Sequence, residues 1–368
     1  AYVGTLGTGC WPELKKQTNT TPDLLSLQHQ FATWHAQGVQ ACALEASSHA
    51  LAQGRLQGVD IDVAIFSNLS HEHLDYHGSM QAYGESKRLL FNKPVRDAVI
   101  NVDDAFGRDI YARIDPDIRL WPYGVTALIQ SYPNLTSASS INTSLDGIEM
   151  WVSAPCGEGR ISSPLVGEFN VANLLATIAG LAALGLEFDE IASAIAKTPA
   201  IPGRMQVVNR ELPDHAAALP AVIVDYAHTP DGLRHSLATL RKMVTGRVIC
   251  IFGCGGERDR EKRPMMGRIA EQLADTVIIT SDNPRGEPQD EIIAQILAGQ
   301  AAPNDSIIEP DRRQAIAQGI EMATVCDAVL IAGKGHEDYQ LVGDEASPFS
   351  DLAVSLENLA HVSNGTQA

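Results

Sequence analysis

The sequence lacks several features, and each absence removes a class of protein. Its six cysteines, Cys10, Cys42, Cys156, Cys250, Cys254 and Cys326, are scattered without a C-x-x-C pair. That pattern suggests neither a disulfide framework nor a zinc site, and the thiols read as reduced and mostly in the core. Basic charge is scarce, with 27 Lys and Arg against 45 Asp and Glu and a net charge of −18. A nucleic-acid partner needs a basic face and is not expected, although local basic pockets for small anions remain open. No apolar run approaches the roughly 18 residues of a membrane span, and the nearest, Leu174 to Leu186, reads as a buried helix. The N-terminus has no basic flank and apolar stretch of a signal peptide, although the chain opens on Ala1. A cytoplasmic protein is expected. There is no internal repeat, coiled-coil heptad or low-complexity segment.

What is present is the composition of a soluble globular protein, 45% hydrophobic and 20% charged over 368 residues, long enough for two domains. The stretch "GVQACALEASSHAL" has a buried-strand pattern over Val39 to Leu44 that stops at Glu45. "VDIDVAIFSNLS" and "DAVINVDD" follow as further apolar runs ending in polar residues, with helical stretches between them. This alternation predicts an α/β fold with a parallel sheet, in which ligands bind beyond the carboxyl ends of the strands, where Glu45, Asn68 and His73 would lie. From about Gln130 to Gly167 the chain reads as a small β-rich excursion. Two helices follow, one stopped by Gly185 and one ended by Pro199. Pro202 and Gly203 in "AIPGRMQVV" mark the expected boundary between domains 1–202 and 203–368. Beyond it "AVIVDYAHTP", "RVICIFGCGG", "TVIITSDNPR" and "AVLIAGKGHED" restart the alternation and predict a second, Rossmann-like doubly wound domain.

Several stretches carry candidate chemistry, and each also has a plain structural reading. In "SNLSHEHLDYHG", His71, His73, Asp75 and His77 are spaced H-x-H-x-D-x-H, one residue longer than the H-x-H-x-D-H spacing of metallo-hydrolases. A dinuclear metal site, a polar loop, and a single histidine given to a phosphate-bound magnesium are all open. Glu45 is either an exposed strand-end carboxylate or a Mg²⁺ ligand. Lys87 in "YGESKRLLF" sits in a helical pattern and, on spacing alone, is a surface lysine. "NTTPD", Asn19 to Asp23, reads as a helix entry with Thr20 or Thr21 as cap and Pro22 in the first turn. "FGCGGERDREKRP" joins Gly253, Gly255 and Gly256 to Arg258, Arg260, Lys262 and Arg263. It is a solvated charge run, or a loop whose amides and guanidiniums meet an anion. "SDNPRGE" places Asp282, Asn283 and Arg285 around Pro284. That is a turn, or a pair of opposite charges suited to a zwitterionic amino acid.

Taken in order, "NTTPD", "EASSHAL", "NLSHEHLDYHGSMQAY", "ESKRLLF", "GEFNVANLLA", "PGRMQ", "VDYAHTPD", "FGCGGERDREKRPMMG", "SDNPR" and "AGKGHEDYQ" resemble the Mur ligases of peptidoglycan synthesis, and within them the MurE type. The resemblance covers essentially the whole chain. It implies a central ATP-binding domain followed by a Rossmann-like C-terminal domain, with the active site in the cleft between them. It also implies a reaction that uses ATP to add meso-diaminopimelate to UDP-N-acetylmuramoyl-L-alanyl-D-glutamate. Asn19, Thr20, Thr21, Ser47, Gln53 and Arg55 match the positions that hold the UDP-linked dipeptide. Glu45 and His73 match the magnesium ligands, and Lys87 matches a lysine carried as a carbamate that holds a second Mg²⁺. Asn170, Arg204 and Asp225 match nucleotide contacts, with His228 in the same "DYAHTPD" motif. Arg258, Asp282, Asn283, Pro284, Arg285, Gly333 and Glu337 match the pocket for the incoming amino acid, and Arg285 is the mark of a diaminopimelate enzyme. The implied substrates are small molecules, no nucleic-acid partner and no membrane span are expected, and a monomer is expected.

One departure is plain: the G-x-x-G-K-[ST] motif by which a Mur ligase cradles ATP phosphates does not occur, and the family's uridine-gripping N-terminal domain is not found. The chain resembles the family from the strand after that motif, "AYVGTLGT", and the expectation is a truncated ligase with little activity on its own. Two other readings stand beside it. A metal-dependent hydrolase would explain residues 71 to 77 alone, and a non-catalytic nucleotide or amino-acid binding module would explain a genuine loss of the phosphate loop.

Overall fold

The structure, a computed structural model, describes residues 1–70, 74–125, 132–212 and 219–365. By contacts it forms two compact units. The first comprises Ala1–Ser139, Trp151–Arg160 and Val171–Ser193, and the second Ser140–Met150, Ile161–Asn170 and Ala194–Ala368.

The first unit opens with an antiparallel meander of β1 (Tyr2–Gly4), β2 (Gly7–Cys10) and β3 (Glu13–Lys15). Helix α1 (Leu24–Ala36) follows, then β4 (Ala43–Leu44), parallel to β1 and at the edge of a sheet ordered β3-β2-β1-β4. The sequence predicts a buried strand over Val39 to Leu44. The strand found is two residues long and largely exposed, because only one of its edges is paired and the apolar residues before it lie outside the ladder. The cap of α1 also differs from expectation. Asp23, not Thr20 or Thr21, accepts from the Ser26 amide at 3.0 Å, because the Thr21 hydroxyl is turned inward onto the Glu45 carbonyl at 2.6 Å.

Helix α2 (Ser48–Ala52) leads to β5 (Ile61–Phe66), α3 (Leu74–His77), α4 (Met80–Arg88), β6 (Val95–Asn101), α5 (Ala105–Arg113) and β7 (Arg119–Gly124). β5, β6 and β7 are parallel neighbours, β5 and β6 standing where the apolar runs predict strands and β7 where they predict none. Their core includes Phe66, Phe91, Ala98, Ile100 and Ile110. Asp97 within it is fully buried, accepting from Arg96 at 2.7 Å, Arg119 at 2.7 Å and the Trp121 indole at 2.9 Å. The sheet continues through the expected β-rich excursion, β8 (Thr136–Ser144), β9 (Gly147–Ala154) and β10 (Gly157–Ser163). Helix α6 (Phe169–Ala183) ends before Gly185, whose φ of +91° suits a residue without Cβ, and α7 (Phe188–Lys197) follows.

The second unit is a doubly wound sheet. β11 (Gln206–Val207), β12 (Ala221–Asp225), α8 (Pro230–Met243), β13 (Val248–Phe252), α9 (Lys262–Leu273), β14 (Thr276–Ile279), α10 (Gln289–Leu297), β15 (Ile307–Ile308), α11 (Arg312–Glu321) and β16 (Ala328–Ala332) succeed one another. Their order is β11-β12-β16-β13-β14-β15, parallel except for β11. Hairpin β17 (Tyr339–Val342) and β18 (Glu345–Pro348) and helix α12 (Asp351–Gly365) complete it. Helices α8, α9 and α10 pack apolar residues against one sheet face, and α11 and α12 against the other. All of β13 and β16 is buried, which is why those strands read as unbroken apolar runs. Because β16 inserts between β12 and β13, the order reverses there, and the loops after β12, β13 and β16 open on one switch point. Among the described residues no helix is long and apolar enough to cross a membrane.

Below those loops lies an ion pair with no exposure on either side. Arg312 donates to Asp351 at 2.7 Å through Nε and again at 2.7 Å through Nη2. It also donates to the carbonyls of Ser281 at 3.3 Å and Ala332 at 3.0 Å. Removing the carboxylate strands a buried cation, so Asp351→Ala is expected to cost about 3–5 kcal/mol. Urea unfolding at pH 7 measures it, and a loss under about 1 kcal/mol, the range of exposed pairs, would contradict the role given to this pair.

Candidate functional site

The candidate groups fall in both units. In the first, Glu45 follows β4, and its backbone amide donates to Val3 at 2.8 Å. Its carboxylate accepts from the Tyr2 hydroxyl and, at 2.7 Å, from Thr5. Burial, and then the carboxylate beside it, push the Tyr2 hydroxyl well above its usual pKa, so Tyr2 stays a donor. Thr21, 1% exposed, joins this group to the next: its hydroxyl meets the Glu45 carbonyl, and the Ser47 amide donates to it at 3.1 Å. Arg55 donates to the Thr21 carbonyl at 2.7 Å and to Gln53 at 2.9 and 2.6 Å, and Gln53 reaches the Tyr76 hydroxyl at 3.1 Å. Four of the six residues matched to the UDP-linked dipeptide, Thr21, Ser47, Gln53 and Arg55, thus form one hydrogen-bonded chain. Asn19 is exposed and Thr20 half-buried. Asn19 lines a cleft of about 830 Å³ with Gln17, Lys15 and α1 residues.

His71 and His73 lie outside the described residues, as does the side chain of Asp75. Among the described residues no three His, Cys, Asp or Glu side chains cluster to hold a metal. His77 is engaged structurally, at 2.9 Å from the Ser48 hydroxyl and 3.3 Å from that of Ser86, and stacked on Tyr83. Lys87 is half-buried on α4, its Nζ 5.1 Å from the centre of the same Tyr83 ring. Tyr2 and Tyr76 were not legible as site residues, because a tyrosine in sequence does not announce which hydroxyl partner the fold brings to it.

In the second unit Asp225 ends β12. Its carboxylate accepts from the amides of Met205 at 3.1 Å and Tyr226 at 2.9 Å and from the Ser236 hydroxyl, while burial raises its pKa. Arg204 lies 4.7 Å over the Tyr226 ring, and the His228 ring packs edge-on against it at 4.5 Å. His228 Nδ1 sits 2.8 Å from the Tyr226 carbonyl, and Lys262 donates to the His228 carbonyl at 2.9 Å. Tyr226 therefore gathers three of the four nucleotide candidates. The fourth, Asn170, 4% exposed, donates to the Val166 carbonyl at 2.9 Å, and Val166 shares an apolar cluster with Met205 and Ala227.

The loops after β13, β14 and β16 bring together the remaining candidates. Asn283 donates to Glu337 at 2.9 Å, and fully buried Lys334 donates to both, at 3.0 Å each, beneath the Tyr339 ring. Gly333 has φ +118°, and a Cβ there would fall 2.6 Å from the Asp282 carboxylate, so only glycine leaves that oxygen its place. Arg285 Nη1 donates to the Gly256 carbonyl at 2.8 Å, and among the described residues its Nε and Nη2 have no protein partner. A Cβ on Gly255 would fall 3.0 Å from the Arg285 guanidinium and 3.6 Å from the aliphatic stem of Arg258, so the two arginines flank one glycine. Pro284 is buried, its carbonyl accepting from Glu287 at 3.0 Å. Lys334 and Gln340, which donates to the Asp282 carbonyl at 2.8 Å, are further members. Both had a signal: Lys334 stands between Gly333 and Glu337, and Gln340 closes the same stretch, "AGKGHEDYQ".

Residues 1–181 match the Mur ligase middle domain, and residues 203–335 match the Mur ligase glutamate ligase domain. The chain belongs to the Mur ligase family. It is 44% identical over 351 residues to a UDP-N-acetylmuramoyl-L-alanyl-D-glutamate--2,6-diaminopimelate ligase of Coxiella burnetii, covering 95% of this chain and 71% of that one. It is 46% identical over 358 residues to the enzyme of that name from Xanthomonas campestris pv. campestris, covering 97% and 71%. A solved structure with the same name superposes with a TM-score of 0.70 at 37% identity, covering 98% of this chain and 72% of that chain.

The loops after β13 and β14 are joined by buried Arg263. It donates to Glu287 at 2.9 Å and to the Gly255 carbonyl at 3.1 Å, and the Glu257 amide also donates to Glu287 at 2.5 Å. The Arg263 guanidinium, with that amide, holds the Glu287 carboxyl down to about 2. Its folded pKa lies below the unfolded value of about 4.3. The pair therefore stabilises fully above that value, and the contribution is lost as pH falls toward 2. Glu287→Gln is expected to be less stable at pH 7 and to lose less further stability between pH 5 and 2. Denaturant midpoints across that range check this, and parallel curves for the two proteins would exclude it.

Proposed function

We propose that this chain carries the chemistry of an ATP-dependent ligase that joins meso-diaminopimelate to UDP-N-acetylmuramoyl-L-alanyl-D-glutamate in peptidoglycan synthesis. The observation that carries the reading is the pocket of the second unit. Arg258 and Arg285 flank Gly255, and Asp282, Asn283 and Glu337 stand on neighbouring loops. An amino acid with a second zwitterionic head has two carboxylates and two ammoniums to meet such a set, and the free donors of Arg285 suit the distal carboxylate.

The reaction has two steps. The terminal carboxylate of the UDP-linked dipeptide attacks the γ-phosphate of ATP, forming a C–O–P bond and releasing ADP. The amine, having given up a proton, then attacks the acyl carbon. A C–N bond forms, the C–O bond to phosphate breaks, and inorganic phosphate leaves. Asn19, Thr20, Thr21, Ser47, Gln53 and Arg55 hold the dipeptide, and Asn170, Arg204, Asp225 and His228 the nucleotide. The oriented carboxylate of Glu45 fits one bond to a phosphate-bound Mg²⁺, with His73 and a carbamylated Lys87 as the other groups. The ion would supply neutralising charge. We place the domain boundary at 202/203 and the protein, as a monomer, in the cytoplasm, serving cell-wall growth, shape and division.

Calorimetric titration tests the pocket. The protein is expected to bind meso-diaminopimelate and reject L-lysine. Arg285→Ala should reduce that preference about tenfold to a hundredfold, as loss of a charge-assisted pair does. Unchanged discrimination in the variant would defeat the assignment. Because these residues include no G-x-x-G-K-[ST] motif, ADP release by them alone is expected to be slight, and ligation at ordinary rates would refute that.

A further inference from the structure

Arg285 stands at φ +52°, a left-handed conformation disfavoured for a residue with a Cβ. The groups around it show what holds it there. Its amide donates to the Leu341 carbonyl at 3.1 Å, and its carbonyl accepts from the Gly343 amide at 2.7 Å, so it forms a bridge with Val342. On either side, the Leu341 amide donates to Asn283 Oδ1 at 2.9 Å, and Gln340 Nε2 to the Asp282 carbonyl at 2.8 Å. All four bonds come from the hairpin β17–β18. In that hairpin Val342 pairs with Glu345 across a two-residue turn and Leu341 with Ala346. The closing pair of such a hairpin exchanges both its bonds inward, and the next residue therefore points its amide and carbonyl outward. The outward groups of Leu341 are the ones that meet Arg285 and Asn283.

We infer that the β17–β18 hairpin is a specificity element: it clamps the D-N-P-R loop in the one conformation that presents Arg285 to the distal carboxylate of the amino acid. The hairpin brings little apolar packing, since β18 is exposed at all four positions and Val342 is 52% exposed. Its pairing with Asp282, Asn283 and Arg285, with the Tyr339 ring over Lys334, is what ties it to the sheet's end. Without it, Arg285 relaxes to negative φ, and its Nη1 leaves the Gly256 carbonyl. The side chain that sets selectivity is thus supplied by one loop and aimed by another, more than fifty positions away. This rests on the proposed reading of the pocket for its ligand, but not for the clamp itself.

The hairpin can be removed with its ends already close. The Phe349 amide already donates to the Asp338 carbonyl at 3.0 Å, so excising residues 339–348 and joining the ends through two glycines asks for little rearrangement. Leu341→Pro is the milder second variant, deleting the amide that binds Asn283 while sparing the ladder bonds. Hydrogen exchange of the Arg285 amide is expected to rise at least about tenfold in the excised protein, with a smaller rise in Leu341→Pro. The ratio of affinities for meso-diaminopimelate over L-lysine should fall about fivefold or more, the loss expected for one hydrogen bond. Exchange at Arg285 that stays at its native rate in both variants overturns the clamp, as does faster exchange with an unaltered ratio. If the native protein itself fails to discriminate the two amino acids, the reading of the pocket falls, and the exchange rates still decide whether the hairpin holds the loop.

Discussion

The buried guanidinium of Arg312 sets the geometry on which the second unit's pocket depends. A parallel sheet delivers its loops at the carboxyl ends of the strands but does nothing to fix them relative to one another. Arg312 does so from below. It donates to the carbonyl of Ser281, just before the D-N-P-R loop, and to that of Ala332, just before Gly333, while Asp351 at the start of α12 supplies its counter-charge. Arg263 and Lys334 repeat the device with Glu287 and Glu337. All three cations are fully buried. Such pairs return little net stability against a hydrophobic core of equal volume. Their return here is positional, because each cation reaches loops that the sheet leaves separate.

The first unit meets the same requirement with neutral groups. Thr21 spends its hydroxyl on the Glu45 carbonyl and the Ser47 amide, and lends its carbonyl to Arg55. A buried hydroxyl satisfied on both sides leaves one arrangement for the turn before α1 and for the start of α2. The Glu45 carboxylate, turned to Tyr2 and Thr5, is fixed by hydrogen bonds without a cation beside it among the described residues. In the proposed reading that carboxylate meets a cation and does not brace a loop.

The fold was legible where burial is two-sided. β12, β13, β14 and β16 read directly from apolar runs because both faces of the sheet are covered, and the motif loops between them were visible as Gly, Pro and charge. It was not legible where a segment is apolar without being enclosed. Val39 to Leu44 carries the pattern of a core strand, yet only Ala43 and Leu44 pair, along one edge. The cap of α1 was misplaced because Thr21 and Asp23 both have capping chemistry, and a contact 24 residues away takes Thr21 out of the competition. In the pocket the residues that touch ligands in the proposed reading lay within motifs. Gln340 closes the "AGKGHEDYQ" stretch, but Leu341 lay in no motif, since it acts through its backbone amide, which no side-chain pattern records.

Selectivity in the proposed site follows from what a smaller amino acid would leave behind. Lysine lacks the distal carboxylate, so in its complex the Nε and Nη2 donors of half-buried Arg285 would keep no anion to bind. A site built to bond a polar group rejects the analogue without it far more strongly than an apolar pocket rejects a missing methylene, because its own donors are stranded. That penalty requires Arg285 to stay put. A side chain free to swing toward water would simply rehydrate, and lysine would then be tolerated at small cost. The bond from Nη1 to Gly256 and the pairing of the Arg285 backbone with β17 remove that escape. Discrimination is therefore a property of how rigidly the guanidinium is held as much as of its presence, and an arginine at this position on an unclamped loop would recognise diaminopimelate without excluding lysine.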